Sequence, residues 1–372
     1  MRSIRLLFYS LALPVARKAA GVTAAFSTHV AIPRLSIEDF SRYYNNNNNA
    51  RETPIIIEHV MSEQQCEAIC ESIVSQPSLA VQLQRRRPNV ATDVYPMDIQ
   101  TAIEYIMLKS SHTDALWCFQ EGLLEDCKGL HDMRQQLAMA KESLFEDVDW
   151  FQYFPTHLIP SDCVILAGEG STSTLHRDPF EWTGTSLCLE GSKLWRFIEP
   201  PQDNVLVVDQ LLKSYRLESS AWDESDLDVT LSAGWQSDYK LYAHRHESIP
   251  SARKLNEMDE HVRQNFLYNL ASSPTLLQAN VEHSLTVWST VQQTGDLLVI
   301  PAHWWHQTYA VEPSVAVASQ RCSGIDARRV MQHMVDTTRV DLNVDQILNI
   351  NAAKKSVDTF FSKLQESVLA LK

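Results

Sequence analysis

The chain has 372 residues, enough to bury one large or two modest cores, and carries 32 basic against 46 acidic residues for a formal charge of −14. That balance argues against a broad nucleic-acid-binding face, though not against a local basic patch. Seven cysteines, an odd number without paired zinc spacing, point to a reducing compartment, and no apolar run is long enough to span a membrane.

Residues 1–37 contain Arg2, Arg5, Arg17, Lys18 and Arg34, no acid, and much Ala, Ser and Leu. This is the character of a mitochondrial transit peptide. A secretory signal competes through the short apolar core at 6–16, and a cytoplasmic or nuclear location is the alternative. Residues 45–49 are an all-Asn run, expected as a linker or loop tip. Residues 50–147 are expected as an N-terminal mixed, largely helical region. Within it, 54–60 (Pro-Ile-Ile-Ile-Glu-His-Val) has the pattern of a strand. Ser62-Glu63-Gln64-Gln65 is a capping box opening a helix that runs to about Ser75, just before Pro77. Cys66 and Cys70, four apart, belong to one apolar-leaning face of that helix. Arg85-Arg86-Arg87, the only dense basic cluster, is expected in an exposed loop. Further helices are expected at 101–109, 114–127 and 130–145.

Barrel strands are expected over 148–322, interrupted by an insert at 203–285. Gly168-Glu169-Gly170 supplies a turn, 171–177 has the Ser/Thr-rich pattern of a strand, and Pro179 ends the pairing. The insert holds an acidic stretch at 222–228 and a helix near 251–272, with Leu255, Met258, Val262, Phe266 and Leu270 at helical spacing. It is expected as either a lid at the mouth of a site or a passive surface elaboration. Gly295-Asp296 is a turn, Leu297–Ile300 is an apolar run fit for a buried strand, and Pro301 to Trp305 turn the chain before His306 opens a strand at 307–311. Two helices are expected in 323–372, at 325–350 and 353–371. The second carries Val357, Phe360, Phe361, Leu364, Val368 and Leu371 as one stripe, which packs on the domain or forms a homodimer contact.

The chemistry concentrates in three residues. On a strand, positions i and i+2 share a face, so His176 and Asp178 point the same way. With His306 they make the two-His, one-carboxylate set that covers one face of a non-haem Fe(II) ion and leaves three positions open. His303 lies inside the turn and is assigned to the loop. A second His-x-Asp, His112-Thr113-Asp114, falls in the expected helix, where residues two apart diverge.

The motifs His176-x-Asp178-Pro179, Gly191-Ser192-Lys193-x-Trp195 and Pro301-x-x-Trp304-x-His306 resemble the Jumonji-C branch of the cupin-like Fe(II)- and 2-oxoglutarate-dependent oxygenases, over 164–201 and 295–320. The resemblance implies an α+β fold, a double-stranded β-helix (a cupin-like jelly-roll barrel) with N- and C-terminal helical segments. It implies Fe(II) on His176, Asp178 and His306, 2-oxoglutarate as co-substrate and O2 as oxidant. It places Lys193, seventeen residues after His176, at the distal carboxylate of 2-oxoglutarate, with Ser173 or Thr174 and Ser186 as further co-substrate contacts. A fixed cation there also makes physical sense, because a buried unpaired Lys is costly without an anion to meet. Arg321, in Arg321-Cys322-Ser323, is a rival anchor. Trp304 and Trp305 are expected to flank the site, one packed inward and the other facing the entrance. The reaction implied is hydroxylation of a protein or peptide side chain with release of succinate and CO2. Alternatives are a silent cupin-like scaffold, or a dioxygenase acting on lysine N-methyl groups, tRNA or a small molecule.

Overall fold

The structure, a computed structural model, describes residues 28–46, 52–76, 79–87, 92–111, 113–178, 182–199, 215–216, 235–237, 250–272 and 286–371. Its N-terminal part runs β1 (Thr28–Ala31), β2 (Arg34–Leu35), α1 (Ile37–Asn46), β3 (Ile55–Ile57), α2 (Glu63–Val74), β4 (Ala80–Arg86), β5 (Asp93–Asp98), α3 (Ile99–Lys109), β6 (Ala115–Glu121), α4 (Leu123–Asp126) and α5 (His131–Glu142). Then come β7 (Cys163–Ala167), β8 (Leu175–Arg177), β9 (Thr183–Glu190), β10 (Ser192–Ile198), β11 (Tyr215–Arg216) and β12 (Trp235–Ser237). The chain continues through α6 (Ala252–Asn256), α7 (Glu260–Ser272), β13 (Thr286–Gln293), β14 (Leu297–Ile300), β15 (Trp305–Ala310), β16 (Ser314–Arg321), α8 (Gly324–Thr338) and α9 (Ala353–Leu371).

The strands form two sheets, a seven-stranded one ordered β1-β13-β10-β15-β8-β12-β11 and a nine-stranded one ordered β2-β3-β14-β9-β16-β7-β6-β4-β5. From β7 to β10, and again from β13 to β16, the chain alternates between them. The antiparallel set β13-β10-β15-β8 lies in the first, and β14-β9-β16-β7 in the second. Side chains of both sets line one cavity. Strands β9 and β10 are buried on both faces, one toward this cavity and one toward flanking helices, so the two charges of β10, Lys193 and Arg196, are buried with them.

Each sheet has its outer cover. Leu255 of α6 and Leu267 and Ala271 of α7 pack on Leu194, Val291, Tyr309 and Val311. Arg196, on the same outer face of β10, donates to the carbonyls of Leu270 and Ala271 at the end of α7, satisfying acceptors a helix terminus leaves open. The second sheet is covered by α1, α2, α3 and α5, with Phe40, Ile69, Ile106 and Leu137 in one core with Leu166 and Val317. Helices α8 and α9 build a further cluster, in which Val357, Phe360 and Leu364 meet Trp150, Phe151 and Phe154. Val357, Phe360 and Leu364 of the α9 stripe thus pack on the domain, with Phe361 and Val368 partly buried beside them.

Several expectations hold. The capping box forms: the Ser62 Oγ accepts from Gln65 N, Gln65 reaches back to Ser62 N, and the helix runs to Val74. Helices α3 and α5 sit where their periodicity puts them, and Cys66 is buried on α2. Others fail for identifiable reasons. The helix expected over 114–127 is mostly strand β6, held between β4 and β7. Its Ala, Leu, Gln and Glu favour helix weakly, and sheet pairing overrides that preference. Arg85 and Arg86 therefore lie on strand β4, not in a loop; Arg85 forms a bidentate pair with Asp114, and Arg87 pairs with Asp93. Asp114 is thereby held by an arginine, and His112 lies outside the described residues. The hairpin β4–β5 was not expected at all.

The last ten residues of the segment expected as a leader, 28–37, include two paired strands. Residues 28–31 pair with β13 and Arg34–Leu35 with β3, and Arg34 bonds Asp296 at 2.7 Å; residues 1–27 lie outside the described residues. The strand expected at 54–60 is confined to Ile55–Ile57, and that at 171–177 to Leu175–Arg177. The 251–272 helix is broken at 257–259, and its buried face is rotated from the expected stripe: Val262 is exposed while Leu267 and Ala271 are buried. This part of the insert packs outside the first sheet and does not line the cavity. The acidic 222–228 stretch lies outside the described residues. The helix expected at 325–350 stops at Thr338, followed by single 3-10 turns at Val344–Gln346 and Ile350–Ala352. Among the described residues no helix is long and apolar enough to cross a membrane.

Candidate metal centre

His176 on β8 and His306 on β15 are directly opposite each other across an antiparallel pair. Residues so paired present their side chains on one face, and the two imidazole centroids lie 4.2 Å apart. Asp178 follows two residues after His176 and turns to the same side. Its Oδ1 lies 3.7 Å from the Nε2 of His176 and 3.7 Å from the Nε2 of His306. One donor atom from each of the three fits within 4.8 Å of the others. Metal–ligand bonds of about 2.1 Å hold donors on one ion roughly 3–4 Å apart, so the cluster has the dimensions of a coordination site, and 3.7 Å is too long for a hydrogen bond.

The histidines are preset as ligands. The Nδ1 of His176 lies 2.8 Å from the Thr174 carbonyl, and that of His306 lies 3.0 Å from the Trp304 carbonyl. A carbonyl only accepts, so each Nδ1 carries the hydrogen and each Nε2 offers a lone pair toward Asp178. Burial, reinforced by the neighbouring His176, pushes the His306 pKa down to about 4. The ring is therefore neutral at physiological pH, and no proton has to leave it before a cation binds. The donor set and the open cavity beside it fit Fe(II) with free coordination positions.

Gly184 of β9 makes room for the carboxylate. A Cβ there would sit 2.8 Å from Asp178 Oδ2 and 3.3 Å from Ile300 Cβ. A glycine inside a strand signals such a close approach; this was the available sequence clue, and it was missed. Gly184→Ala is expected to displace Asp178 and weaken Fe(II) or Co(II) binding by about tenfold or more, the size of loss seen when a ligand loses its support. A metal titration beside a far-UV spectrum checks this; unchanged affinity with an unchanged spectrum removes the role.

The cavity holds about 200 Å³. Besides the triad it is lined by Lys193, Trp195, Ser173, Ser186, Cys163 and Gln320, among others. Lys193 is 3% exposed, so it is no hairpin lysine on the surface. Its Nζ stands 4.8 Å over the Trp195 ring, and among the described residues no carboxylate pairs with it. Burial lowers its pKa to about 8. Trp195 is fixed in turn by Gln292, a fully buried residue of β13 whose Oε1 accepts from Trp195 Nε1 at 2.9 Å; nothing in the sequence singled it out.

The other sequence candidates separate. Ser173 lines the cavity, but its Oγ accepts from Thr308 N at 3.0 Å. Thr174 contributes the carbonyl that orients His176. Ser186 is buried, lines the cavity and has its Oγ 3.5 Å from Gln292 Oε1. Arg321 lies outside the cavity, its Nη2 bonded to Asp147 and its guanidinium over the Phe145 ring at 4.3 Å. Neither expected tryptophan faces an entrance: Trp304 and Trp305 are both buried, and Trp304 Nε1 donates to the Glu52 carbonyl. His303 is in the turn, at φ +67°.

No curated protein matches the sequence. A family model described as the cupin-like domain matches residues 33–319. That match covers well over half of the chain and takes in most strands of both sheets and all three residues of the triad, so the chain belongs to the cupin-like domain family.

Proposed function

We propose that the protein is an Fe(II)- and 2-oxoglutarate-dependent dioxygenase that hydroxylates a protein side chain, built on a double-stranded β-helix. Strands β7–β10 and β13–β16, which alternate between two antiparallel sets lining one cavity, support that description of the barrel. One observation carries the functional reading: Lys193, buried and without a carboxylate partner among the described residues, shares a cavity with the three-ligand cluster. A buried cation is costly until an anion meets it, and a metal-chelating dicarboxylate has an anion at each end.

His176, Asp178 and His306 would hold the metal. When bound, the metal supplies dioxygen activation coupled to decarboxylation: 2-oxoglutarate loses CO2 and gains one oxygen atom as succinate, while the other oxygen is inserted into a substrate C–H bond. The chain's own contribution is placement. The Nδ1 hydrogen bonds hold both imidazoles with Nε2 inward. Gly184 leaves Asp178 its position. Lys193, braced by Trp195 and Gln292, fixes the far end of the co-substrate, and the apolar walls Cys163, Ile165 and Ile300 limit water. A silent scaffold has no use for a desolvated lysine aimed at an intact ligand set, which counts against that alternative.

The pH dependence follows from Lys193. Only the ammonium form binds a dianion. With the free-state pKa near 8, affinity for 2-oxoglutarate is expected to be flat below that value and to fall about tenfold per pH unit above it. Anaerobic calorimetry with Fe(II) from pH 6.5 to 9.5 reads this directly. Affinity that stays level to pH 9.5, or binding without metal, contradicts the assignment.

A further inference from the structure

Strand β6 presents two different faces. Leu116 and Cys118 belong to the core under the second sheet, so Trp117, Phe119 and Glu121, spaced two apart, share the opposite face. All three line the metal cavity. Phe119 is 47% exposed, Trp117 is half-buried and Glu121 is exposed. The β6 wall is therefore an open side of the cavity.

Strand register shows what stands at each level of that wall. Trp117 lies opposite Ala167, and Ala167 opposite Ser314. The next residue, Val315, meets Glu190 at the turn that leads into Lys193. Glu121 is at the other end. It lies opposite Cys163, Cys163 opposite Ala318, and Ala318 opposite Ser186. Ser186 is two residues from Gly184, whose missing Cβ leaves room for Asp178. Glu121 thus belongs to the metal end of the cavity, three strand spacings from β9, or about 14 Å along the sheet. That is too far for a metal ligand.

Apart from the triad and Lys193, Glu121 is the one charged residue lining the cavity. Among the described residues no cation pairs with its carboxylate, and no ring packs on Phe119. A carboxylate at this rim has no attractive task toward a dianionic co-substrate, whose far end Lys193 takes. Its complement is a cation. The exposed ring two residues away accepts a cation, or the alkyl chain behind one, on its face. The formal charge of −14 also draws cations toward the protein.

We propose that Glu121 and Phe119 are specificity-determining residues that hold an ammonium or guanidinium group of the substrate at the rim, while a carbon farther along the same substrate reaches the metal. The charge is an anchor, and the oxidised carbon is not the one that bears the charged nitrogen. The inference rests on the oxygenase reading above. A basic residue of a polypeptide and a free alkyl diamine share this chemistry, and the test separates them.

The full chain is assayed with Fe(II), 2-oxoglutarate and ascorbate. The probes are a random dodecapeptide library with two positions fixed as Lys or Arg, the same library with norleucine or with Glu at those positions, and 1,8-diaminooctane. Succinate release and a one-oxygen mass gain on the probe are followed. The cationic library is expected to raise succinate release at least threefold over the other two. Fragment masses should place the oxygen away from the nitrogen-bearing carbon. Equal stimulation by the diamine assigns the anchor to free amines as well, and stimulation by peptides alone assigns it to polypeptides. Glu121→Gln is expected to raise the KM for the cationic probe about three- to tenfold with a smaller change in kcat, and to remove the rise in KM that added salt causes in the parent. Glu121→Lys should shift preference to the Glu library. Both substitutions are at an exposed position, and thermal melting checks the fold. Equal stimulation by the three libraries, none by any cationic probe, oxidation at the nitrogen-bearing carbon, or an unchanged KM in folded Glu121→Gln overturns the inference. Absence of Fe(II)-dependent 2-oxoglutarate binding in the parent protein overturns the oxygenase reading instead.

Discussion

Asp178→Ala is expected to lose more than about 100-fold in Fe(II) affinity and to fall to background in 2-oxoglutarate turnover. Outer partners of a metal ligand already contribute 10- to 100-fold, and Asp178 is the only carboxylate in the cluster. It also supplies the one negative charge in the cluster, which offsets the charge of a cation in a low-dielectric cavity. The fold should survive. Asp178 lies just beyond β8, is not in the hydrophobic core, and closes the contact with Gly184 from outside the strand. A metal titration with a parallel thermal melt separates the two effects. Near-normal metal affinity in a folded Asp178→Ala protein would mean the three residues do not act as one site.

Lys193→Met is expected to do two opposite things. Affinity for 2-oxoglutarate should drop roughly 30- to 5,000-fold, since truncating one partner of a buried charge pair costs about 2–5 kcal/mol. The free protein, however, should become more stable. The lysine pKa is about 8 in the fold against about 10.4 in the unfolded chain. Between those values the unfolded state binds more protons, so the cost of burying the charge is fully present below pH 8 and fades as pH rises toward 10. At pH 7 that cost is of the order of 3 kcal/mol, and Lys193→Met removes it. Arg321→Met, by contrast, breaks the pair with Asp147 and is expected to lower stability while leaving 2-oxoglutarate affinity within a few-fold. Calorimetry and melting curves on the two variants decide between the anchors. Loss of 2-oxoglutarate affinity in Arg321→Met and not in Lys193→Met would reverse the assignment.

The His176, Asp178 and His306 cluster was legible because strand geometry is strict. Residues two apart share a face, so His176 and Asp178 could be placed together without a structure, and the turn at Gly295 with the run Leu297–Ile300 located the approach to His306. Burial was not legible. Lys193 and Arg321 are both cations near the motifs, and only the fold shows one of them in the cavity and the other tied to Asp147. The failures lie where weak local preference met strong pairing. The 115–121 segment has helix-favouring residues but completes a sheet between β4 and β7, and it brings Trp117 and Phe119 to the cavity. In α7 the apolar spacing was ambiguous by one residue, and the packing on Leu194 and Val291 selected Leu267 and Ala271 over Val262. Gln292 carries no local pattern at all; its role exists only through what it meets across the sheets.

The central claim is that the triad and Lys193 form one working site. The most direct measurement is release of succinate and CO2 from 2-oxoglutarate by the full chain with Fe(II) and ascorbate, beside Asp178→Ala and Lys193→Met. Metal-dependent release in the parent protein, background in Asp178→Ala, and recovery in Lys193→Met only at greatly raised 2-oxoglutarate concentration is the expected result. No release together with no Fe(II)-dependent binding of 2-oxoglutarate, or release that persists undiminished in Asp178→Ala, would contradict the claim.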